Sequence, residues 1–404
     1  MPETVDVTIP VRRISPPDGQ YFFGYYDLPA ADTAGRHLAH RVRFRDRFPT
    51  PDDMAVLGWL PLPARGGGPD GECPFHAFAE TRAWNFQQGA MLQWLPSSPD
   101  TCLYNTFDGG TFGACIHNVR TGARRRLPLP VANISSDGTA ALCINMARLY
   151  AFRPGYGYEE APDPFADVAA PADDGVFRMD LATGGTRRIL SLAEAADFLG
   201  QCGEAVAGRK VLINHITFNP SASRYLFLLR TFPNPPGAAW ATFLLTADAA
   251  GGGLRHHPVQ GAASHYHWRD DDGMLFWAWA TAADGQQLVL ISDRTDERRV
   301  LDRSFFRSDG HCSYSGDRRW LLYDSYPDGS TPDRLRALQV YSLDRGAGFT
   351  LGRFRSEALS AATVDLRCDL HPRWMPDGRS ITFDSIHEGF RGVYWADLAS
   401  VMQG

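Results

Sequence analysis

Four histidines occupy the same position in a repeated pattern, in which an aromatic residue follows three positions after the histidine. The copies begin at His215, His265, His311 and His371, and each leads through a turn into a short apolar run. A lone histidine beside an aromatic is usually a core residue, but the chain has only 12 histidines and four of them share this slot. Imidazoles that converge on one point can bind a divalent metal or act as general base and acid.

Two residues near these histidines extend the candidate set, because residues two apart on a strand face the same side. Asp369 lies two positions before His371, and His267 lies two positions after His265. We expect His311, His371 and Asp369 to hold a divalent metal, with Mn, Zn or Ca left open. The alternative for Asp369 is a hydrogen bond between neighbouring repeats.

Basic, aromatic and amide side chains close to the same segments suit an anionic sugar. Arginine binds carboxylates in a bidentate manner, and aromatic rings provide stacking faces. The predicted substrate-binding residues are Arg367, Arg373, Tyr26, Gln88, Arg148 and His267. Arg153 and Tyr156, in a long Pro/Gly-rich insertion, are predicted to take part in catalysis.

The repeat also predicts the fold. Three further segments, near residues 25, 91 and 131, fit the same frame with another residue in the histidine slot, and the seven starting points are about 40 to 84 residues apart. This is the spacing of four-stranded propeller blades. One such unit cannot bury its own faces, whereas seven units in a ring can. We therefore predict an all-β, seven-bladed β-propeller whose inner strands bring the slot histidines to a central channel.

This single predicted domain accounts for the whole sequence, residues 1–404. The N-terminal strand, Thr4–Ile9 or the stretch after it, is expected to complete the last blade. An insertion loop is predicted at about 153–175 and a short helix at about 191–199. Ser191 is the predicted N-cap of that helix, and Glu194 three residues later completes a capping box.

The amino-acid composition and net charge limit the classes of partner that the protein is expected to bind. A net charge of −6 and a pI of about 6.1 argue against a basic surface for nucleic acid. No run approaches the roughly 18 apolar residues of a membrane span, and the N-terminus has no signal-peptide pattern. Seven scattered cysteines without CxxC spacing indicate reduced thiols. We expect a cytoplasmic protein that binds an anionic oligosaccharide or polysaccharide, and neither nucleic acid nor membrane.

Four motifs of the C-terminal half carry a family resemblance. They are His215-Ile-Thr-Phe-Asn-Pro, Ser264-His-Tyr-His-Trp, Gly310-His-Cys-Ser-Tyr and Asp369-Leu-His-Pro-Arg-Trp-Met-Pro-Asp-Gly. Over roughly residues 210–400 the chain resembles the cytoplasmic oligogalacturonate lyases, seven-bladed propellers of the TolB-like repeat type. That family implies β-elimination on uronides, with a manganese-type metal held by histidines and a glutamine and a further histidine as base.

The resemblance places His311 and His371 on metal-ligand positions and His265 near the catalytic histidine. Two departures stand out. The family has His-Pro-His in the last blade where this chain has Asp369-Leu-His371, and Leu366 takes the position of the glutamine ligand. The resemblance therefore implies a metal site of altered composition and a related but distinct specificity.

The leading hypothesis from the sequence is a lyase acting on a 4-O-linked uronic acid. A cation or an arginine would neutralise the carboxylate, and His265 would remove the C5 proton. His215 or Tyr156 would protonate the leaving oxygen. The first alternative is a glycoside hydrolase with a carboxylate pair drawn from Asp27, Asp369 and Glu388. The second is a propeller without catalysis that binds a polysaccharide or a protein.

Overall fold

A computed structural model describes residues 5–6, 9–63, 74–96, 98–235, 237–259, 263–279, 281, 285–327, 335–356 and 361–403. Strands dominate these residues and form seven sheets. The predicted all-β, seven-bladed β-propeller is confirmed, and the sheets are its blades.

Two N-terminal strands, β1 (Val5–Asp6) and β2 (Val11–Arg13), belong to blades formed later in the chain. Blade 1 contains β3 (Gln20–Phe22), β4 (Arg36–Val42), β5 (Ala55–Pro61) and β6 (His76–Thr81). Blade 2 contains β7 (Gln93–Trp94), β8 (Thr101–Asp108), β9 (Thr111–Asn118) and β10 (Arg124–Leu127). Blade 3 contains β11 (Asn133–Ile134), β12 (Ala140–Cys143), β13 (Gly175–Asp180) and β14 (Thr186–Ser191).

The remaining four blades follow the same order along the chain. Blade 4 contains β15 (Val211–Phe218), β16 (Arg224–Thr231), β17 (Thr242–Asp248) and β18 (Arg255–His257). Blade 5 contains β19 (Tyr266–Trp268), β20 (Gly273–Trp279), β21 (Gln286–Ser292) and β22 (Arg298–Val300). Blade 6 contains β23 (Cys312–Tyr314), β24 (Trp320–Asp324), β25 (Arg336–Ser342) and β26 (Ala347–Phe354). Blade 7 contains β27 (Arg373–Trp374), β28 (Ser380–Ser385) and β29 (Gly392–Asp397).

The N-terminal strands join blades 6 and 7. Strand β2 pairs antiparallel with β29 and is the fourth strand of blade 7, whereas β1 pairs parallel with β26 of blade 6. The stretch after Ile9 therefore borders the last blade. Thr4, Val7 and Thr8 lie outside the described residues.

Three α-helices occur in the described chain: α1 (Met146–Phe152), α2 (Leu192–Gln201) and α3 (Ala399–Gln403). Helix α2 contains the predicted capping box, because Ser191 accepts from the backbone N–H of Glu194 and the Glu194 carboxylate accepts from that of Ser191. Helix α1, before the insertion, was not expected; Asn145 caps it by accepting from the backbone N–H of Arg148. None of the described helices combines the length and apolar character needed to cross a bilayer.

The described chain divides into two compact units. Unit 1 comprises Met1–Trp94, His265–His267 and Leu301–Gly404, and unit 2 comprises Leu95–Ser264 and Trp268–Val300. Within each unit, apolar residues at alternate strand positions pack one blade on the next. In unit 1, Leu322 and Val340 of blade 6 pack with Ile381 and Phe383 of blade 7. In unit 2, the buried cluster of blades 2 and 3 includes Leu103, Ala114, Ala141 and Met179.

The segment near residue 25 differs from the prediction of an inner strand. Strand β3 ends at Phe22, and Tyr25 and Tyr26 lie in the connection that follows. Gly24 has φ +115°, and a Cβ at this position would lie 2.9 Å from the backbone of Gln88. The close approach of these two backbones ends the strand early.

Candidate functional site

Two histidines and a carboxylate of unit 1 form a buried cluster. His311 directly precedes β23, His371 lies two residues before β27, and their Nε2 atoms are 3.1 Å apart. Asp369 Oδ2 lies 4.0 Å from His371 Nε2. One ligand atom from each of the three residues falls within 4.8 Å of the others. The sequence-predicted metal ligands are therefore brought together.

Asp324, the last residue of β24, fixes both histidines. Its carboxylate accepts from the backbone N–H of His311 at 2.8 Å and from that of His371 at 3.1 Å. It also accepts from Nδ1 of His311 at 2.9 Å. Because a carboxylate can only accept, His311 carries its proton on Nδ1 and directs the Nε2 lone pair at the cluster.

Two buried arginines hold Asp369. Arg336 forms an ion pair with Oδ1, and Arg367 donates to the same oxygen through Nε at 2.9 Å. Arg367 Nη2 lies 2.9 Å from Oδ2, but the orientation does not make this contact a hydrogen bond. Asp369 is therefore a fixed carboxylate whose Oδ2 is buried beside the histidine pair without a hydrogen bond.

Burial and charge set the protonation states of the cluster. Burial lowers the pKa of His311 well below its usual range, and the nearby His265 lowers it further. The pKa of His371 is also lowered well below its usual range, first by burial and then by His311. Burial alone would raise the pKa of Asp369, but Arg336 and Arg367 outweigh it and leave this pKa below the usual range. Two neutral imidazoles thus face one ionised carboxylate.

These three residues fit a divalent cation. Imidazole nitrogens and a carboxylate oxygen are common ligands of Mn, Fe and Zn, and Asp369 Oδ2 is buried beside the histidine pair with an ion pair to Arg367 but no hydrogen bond. Asp324 orients His311 as outer-shell carboxylates do in metal sites. This set of ligands is common to Mn, Fe and Zn sites.

His265 lies beside this cluster and contacts a carboxylate and an aromatic ring that do not belong to the cluster. Its Nδ1 is 2.8 Å from Asp309 Oδ1, and its ring centroid is 4.2 Å from that of His311. Its ring stacks on Tyr326, with centroids 5.5 Å apart and planes inclined by 18°. Arg336 lies over the same tyrosine ring at 3.7 Å. His265 is thus oriented so that Nε2 is the nitrogen without a proton.

Two arginines predicted to bind substrate form hydrogen bonds and ion pairs within the protein. Arg367 holds Asp369 and Asp365, and its Nη2 donates to the Tyr326 hydroxyl. Arg373 is buried and donates to Asp384 at 2.8 Å. A carboxylate of the protein already binds each guanidinium group, and substrate binding by Arg367 and Arg373 stays a prediction.

The hydroxyl of Tyr26 is also occupied. It donates to the backbone carbonyl of Tyr266 at 2.6 Å and accepts from the backbone N–H of the same residue at 3.2 Å. The Tyr26 ring instead packs on His311, with centroids 4.9 Å apart. The Tyr26 ring therefore borders the cluster, and its role in stacking on substrate stays a prediction.

Two further candidates lie near these residues in unit 1. His267 packs on Tyr314, with ring centroids 5.9 Å apart, whereas His265 packs on His311. His265, just before β19, and His267, in β19, therefore have different neighbours. Gln88 is buried in the turn that packs on Gly24, and its role remains a prediction.

The other candidates belong to unit 2. The rings of His215 and Tyr156 meet edge to face with centroids 5.8 Å apart, and Arg153 lies over the Tyr156 ring at 4.6 Å. Their catalytic roles remain predictions. Arg148 forms a buried ion pair with Asp163 and donates to four backbone carbonyls. All five N–H groups of Arg148 donate within the protein, and its role as a substrate ligand stays a prediction.

The histidine slot also has a backbone property that the sequence did not reveal. His215 and His371 have φ of 54° and 41°, in the left-handed region that favours glycine. Met91, which fills the same slot of blade 2, has φ of 50°. His265 and His311 occupy the same slot without this conformation, so the slot does not require it, and Met91 shows that the conformation does not require histidine.

Sequence reasoning missed Asp324, Tyr326 and Arg336. A signal for Asp324 existed, because β24 ends in an aspartate at the position that Asp384 holds in β28 of the next blade. Arg336 and Tyr326 gave no comparable signal, because neither occupies a position shared by the repeats.

Comparisons with known proteins support the fold. No family model and no curated protein matches the chain. An oligogalacturonate lyase solved in complex with manganese is 16% identical, with a TM-score of 0.68 over 100% of this chain and 97% of that one. An oligogalacturonate lyase from Vibrio parahaemolyticus is 12% identical, with a TM-score of 0.64 over 99% of this chain and 100% of that one.

A puromycin-hydrolysing peptidase of Mycobacterium tuberculosis is also similar. It is 11% identical, with a TM-score of 0.54 over 98% of this chain and 55% of that one. The resemblance to oligogalacturonate lyases is thus confirmed at the level of the fold, and the fold is shared with proteins of other activities.

Proposed function

We propose that the chain is a lyase that cleaves a uronic-acid-containing oligosaccharide or polysaccharide by β-elimination. The observation that carries the proposal is the pairing of a metal-type cluster, His311, His371 and Asp369, with a separately oriented imidazole, His265, whose ring is 4.2 Å from His311. Two comparison structures match this chain over nearly its whole length and over nearly their own whole length, and both are oligogalacturonate lyases, which supports the same substrate class.

Elimination from a uronide needs the carboxylate neutralised and the C5 proton removed. His311 Nε2, His371 Nε2 and Asp369 Oδ2 would hold the divalent metal, for which Mn, Zn and Ca are the candidates. When bound, the metal supplies a Lewis acid that offsets the uronate charge and acidifies the C5 proton. Asp309 orients His265 so that Nε2 is free to accept that proton.

The remaining bond changes define the product. As the C5–H bond breaks, its electron pair forms the C4–C5 double bond, and the C4–O bond to the leaving sugar breaks. The leaving oxygen takes up a proton, for which His215 and Tyr156 remain the candidates that the sequence indicates. The new double bond is conjugated with the carboxyl group and absorbs in the near ultraviolet.

The hydrolase alternative needs a pair of carboxylates with no other assigned role. The proposal uses Asp369 in the metal-type cluster, and Glu388 forms an ion pair with Arg13. Asp27 remains, and burial raises its pKa to about 7.

Metal content and ultraviolet absorbance test the proposal together. Purified protein should contain close to one equivalent of metal, which falls in His311→Ala and His371→Ala, and should generate absorbance from oligogalacturonate. His265→Ala should keep the metal and lose at least about 100-fold in kcat, as expected for removal of a general base. New reducing ends without ultraviolet absorbance would indicate hydrolysis. A metal-free protein that is inert on uronides would contradict the proposal.

A further inference from the structure

The first strand of blade 1 is interrupted by a long segment that leaves the sheet. Strand β3 pairs with β4 as far as Phe22 and His40, and pairing resumes at an isolated bridge between Ala31 and His37. Residues 23–30 therefore lie opposite residues 38 and 39 alone, eight residues against two. An ordinary β-bulge adds one residue. We call residues 23–30 the excursion.

The excursion packs on the residues proposed to perform the elimination. The Tyr25 ring lies with its centroid 5.5 Å from that of His371, and the Tyr26 ring lies 4.9 Å from that of His311. The Tyr26 hydroxyl bonds the backbone of Tyr266, which directly follows the proposed base in the sequence. The excursion therefore contacts both the metal-type cluster and the segment that carries the base.

Asp27 is the single acidic residue of the excursion. It is half-buried, and its Oδ1 is buried without a hydrogen bond. Among the described residues, the carboxyl group is bonded only by its own backbone N–H. Burial raises the pKa of the Cys312 thiol, and the charge of Asp27 is among those that raise it further. The Asp27 carboxyl group therefore lies near the residue that follows His311.

A structural role does not account for this carboxyl group. Asp324, Asp369 and Asp384 are also buried in unit 1, and each accepts hydrogen bonds from backbone N–H or guanidinium groups of other residues. Such bonds offset the cost of removing a carboxylate from water, and a buried carboxyl group without them lowers the stability of the fold. Asp27 has this cost without the compensation, and it lies beside a candidate site, which is the pattern of a functional acid.

We propose that Asp27 is the general acid that protonates the leaving oxygen of the elimination. The inference rests on the proposed function, which needs a second proton-transfer group because His265 takes up the C5 proton. As the C4–O bond breaks, its electron pair stays on the oxygen and binds the Asp27 proton, which forms the hydroxyl group of the leaving sugar and leaves Asp27 as a carboxylate. Exchange with water then returns a proton to Asp27 and removes one from His265.

The protonation state of Asp27 suits this step. An ordinary aspartate has a pKa of about 4 and is ionised at neutral pH. Burial raises the pKa of Asp27 to about 7, so a large share of the carboxyl groups carries a proton at neutral pH. A sugar alkoxide is a poor leaving group, which is why its protonation as the bond breaks accelerates the reaction.

Two substrates that differ in the leaving group test the proposal. One is a short oligogalacturonate, whose leaving sugar needs a proton, and the other is a galacturonide with dinitrophenolate at C4, which leaves without one. Asp27→Asn should lose at least about 100-fold in kcat on the first substrate and stay within about threefold of wild type on the second. His265→Ala should lose activity on both, because the C5 proton must be removed in either case. Asp52→Asn, at an exposed aspartate of the same unit, is the matched control and should behave as wild type.

Three outcomes would overturn the role of Asp27. Unchanged cleavage of oligogalacturonate by Asp27→Asn would show that the residue does not donate the proton. Equal losses on both substrates would show that Asp27 maintains the shape of the site. The leaving-group dependence, if it appeared in Tyr156→Phe and not in Asp27→Asn, would assign the proton to Tyr156. A wild-type protein that eliminates from neither substrate would instead reject the proposed function, and with it the need for an acid.

Discussion

Asp324 and Asp384 occupy the same repeat position in neighbouring blades and serve different ends. Asp324 accepts from the backbone N–H groups of His311 and His371 and from the His311 imidazole. Asp384 accepts from the backbone N–H groups of Phe23 and Gly24 and from Arg373. Both carboxylates therefore bind backbone N–H groups next to the first strand of the following blade, before β27 for Asp324 and after β3 for Asp384. The scaffold position is thus structural in both, and in blade 6 the same carboxylate also orients an imidazole.

The largest effect on stability should come from substitution of Asp384, whose contacts are purely structural. Asp384→Ala removes the only described carboxylate that pairs with buried Arg373, so the free energy of unfolding should fall by about 3–5 kcal/mol. Chemical denaturation measures this loss. The double variant Asp384→Ala/Arg373→Met, which removes both charges, should recover part of the stability. Metal affinity of the folded single variant should stay within about threefold, and a larger loss would contradict the separation of the two roles.

The equivalent change in blade 6 should act on the metal. Asp324→Asn removes the charge that orients His311 and stabilises a nearby cation, so the dissociation constant for Mn²⁺ should rise about 10- to 100-fold. Titration of metal-free protein followed by electron paramagnetic resonance of free Mn²⁺ measures it. Asp384→Asn is the matched control and should bind Mn²⁺ as wild type does. Equal effects of the two substitutions would mean that Asp324 has no special relation to the cluster.

The smallest expected effect is a change in the pH dependence of stability that comes from a buried histidine bonded to the backbone. His40 of blade 1 accepts from the backbone N–H of Ala90, and burial lowers its pKa to about 4. Between pH 6.5 and 4 the unfolded chain therefore binds one more proton at this residue than the folded chain. The free energy of unfolding should fall by about 1.4 kcal/mol for each pH unit below 6.5 on account of this residue.

Denaturation at pH 6 and pH 5 measures this dependence. His40→Gln retains an acceptor for Ala90 and cannot be protonated, so the variant should lose less stability than wild type over the same interval. An identical pH dependence in both proteins would show that His40 does not contribute.

The fold was predictable because its signal is repeated. Seven copies of one pattern indicate seven blades. A single departure from the pattern, such as the early end of β3 at Phe22, does not change the number of blades predicted. The metal-type cluster was predictable for the same reason, since His311 and His371 share a slot and Asp369 lies two residues from one of them.

The substrate-binding arginines were not predictable in this way. Arg148, Arg367 and Arg373 have the composition expected of a uronate site, but each is buried against a carboxylate of the protein. Sequence indicates which side chains can bind an anion. It does not indicate which of them a neighbouring aspartate already occupies, because that depends on contacts such as Arg148–Asp163 inside an irregular insertion.

The pairing of β2 with β29 links the site to the order in which the chain is made. Blade 7 is assembled from Val11–Arg13 and from Gly392–Asp397, which is synthesised much later. His371 lies just before the first strand of that blade, and its backbone is held by Asp324 of blade 6. A ribosome-bound chain that still lacks blade 7 therefore cannot contain the complete cluster. Any metal held by this cluster would be acquired only after blade 7 has been translated.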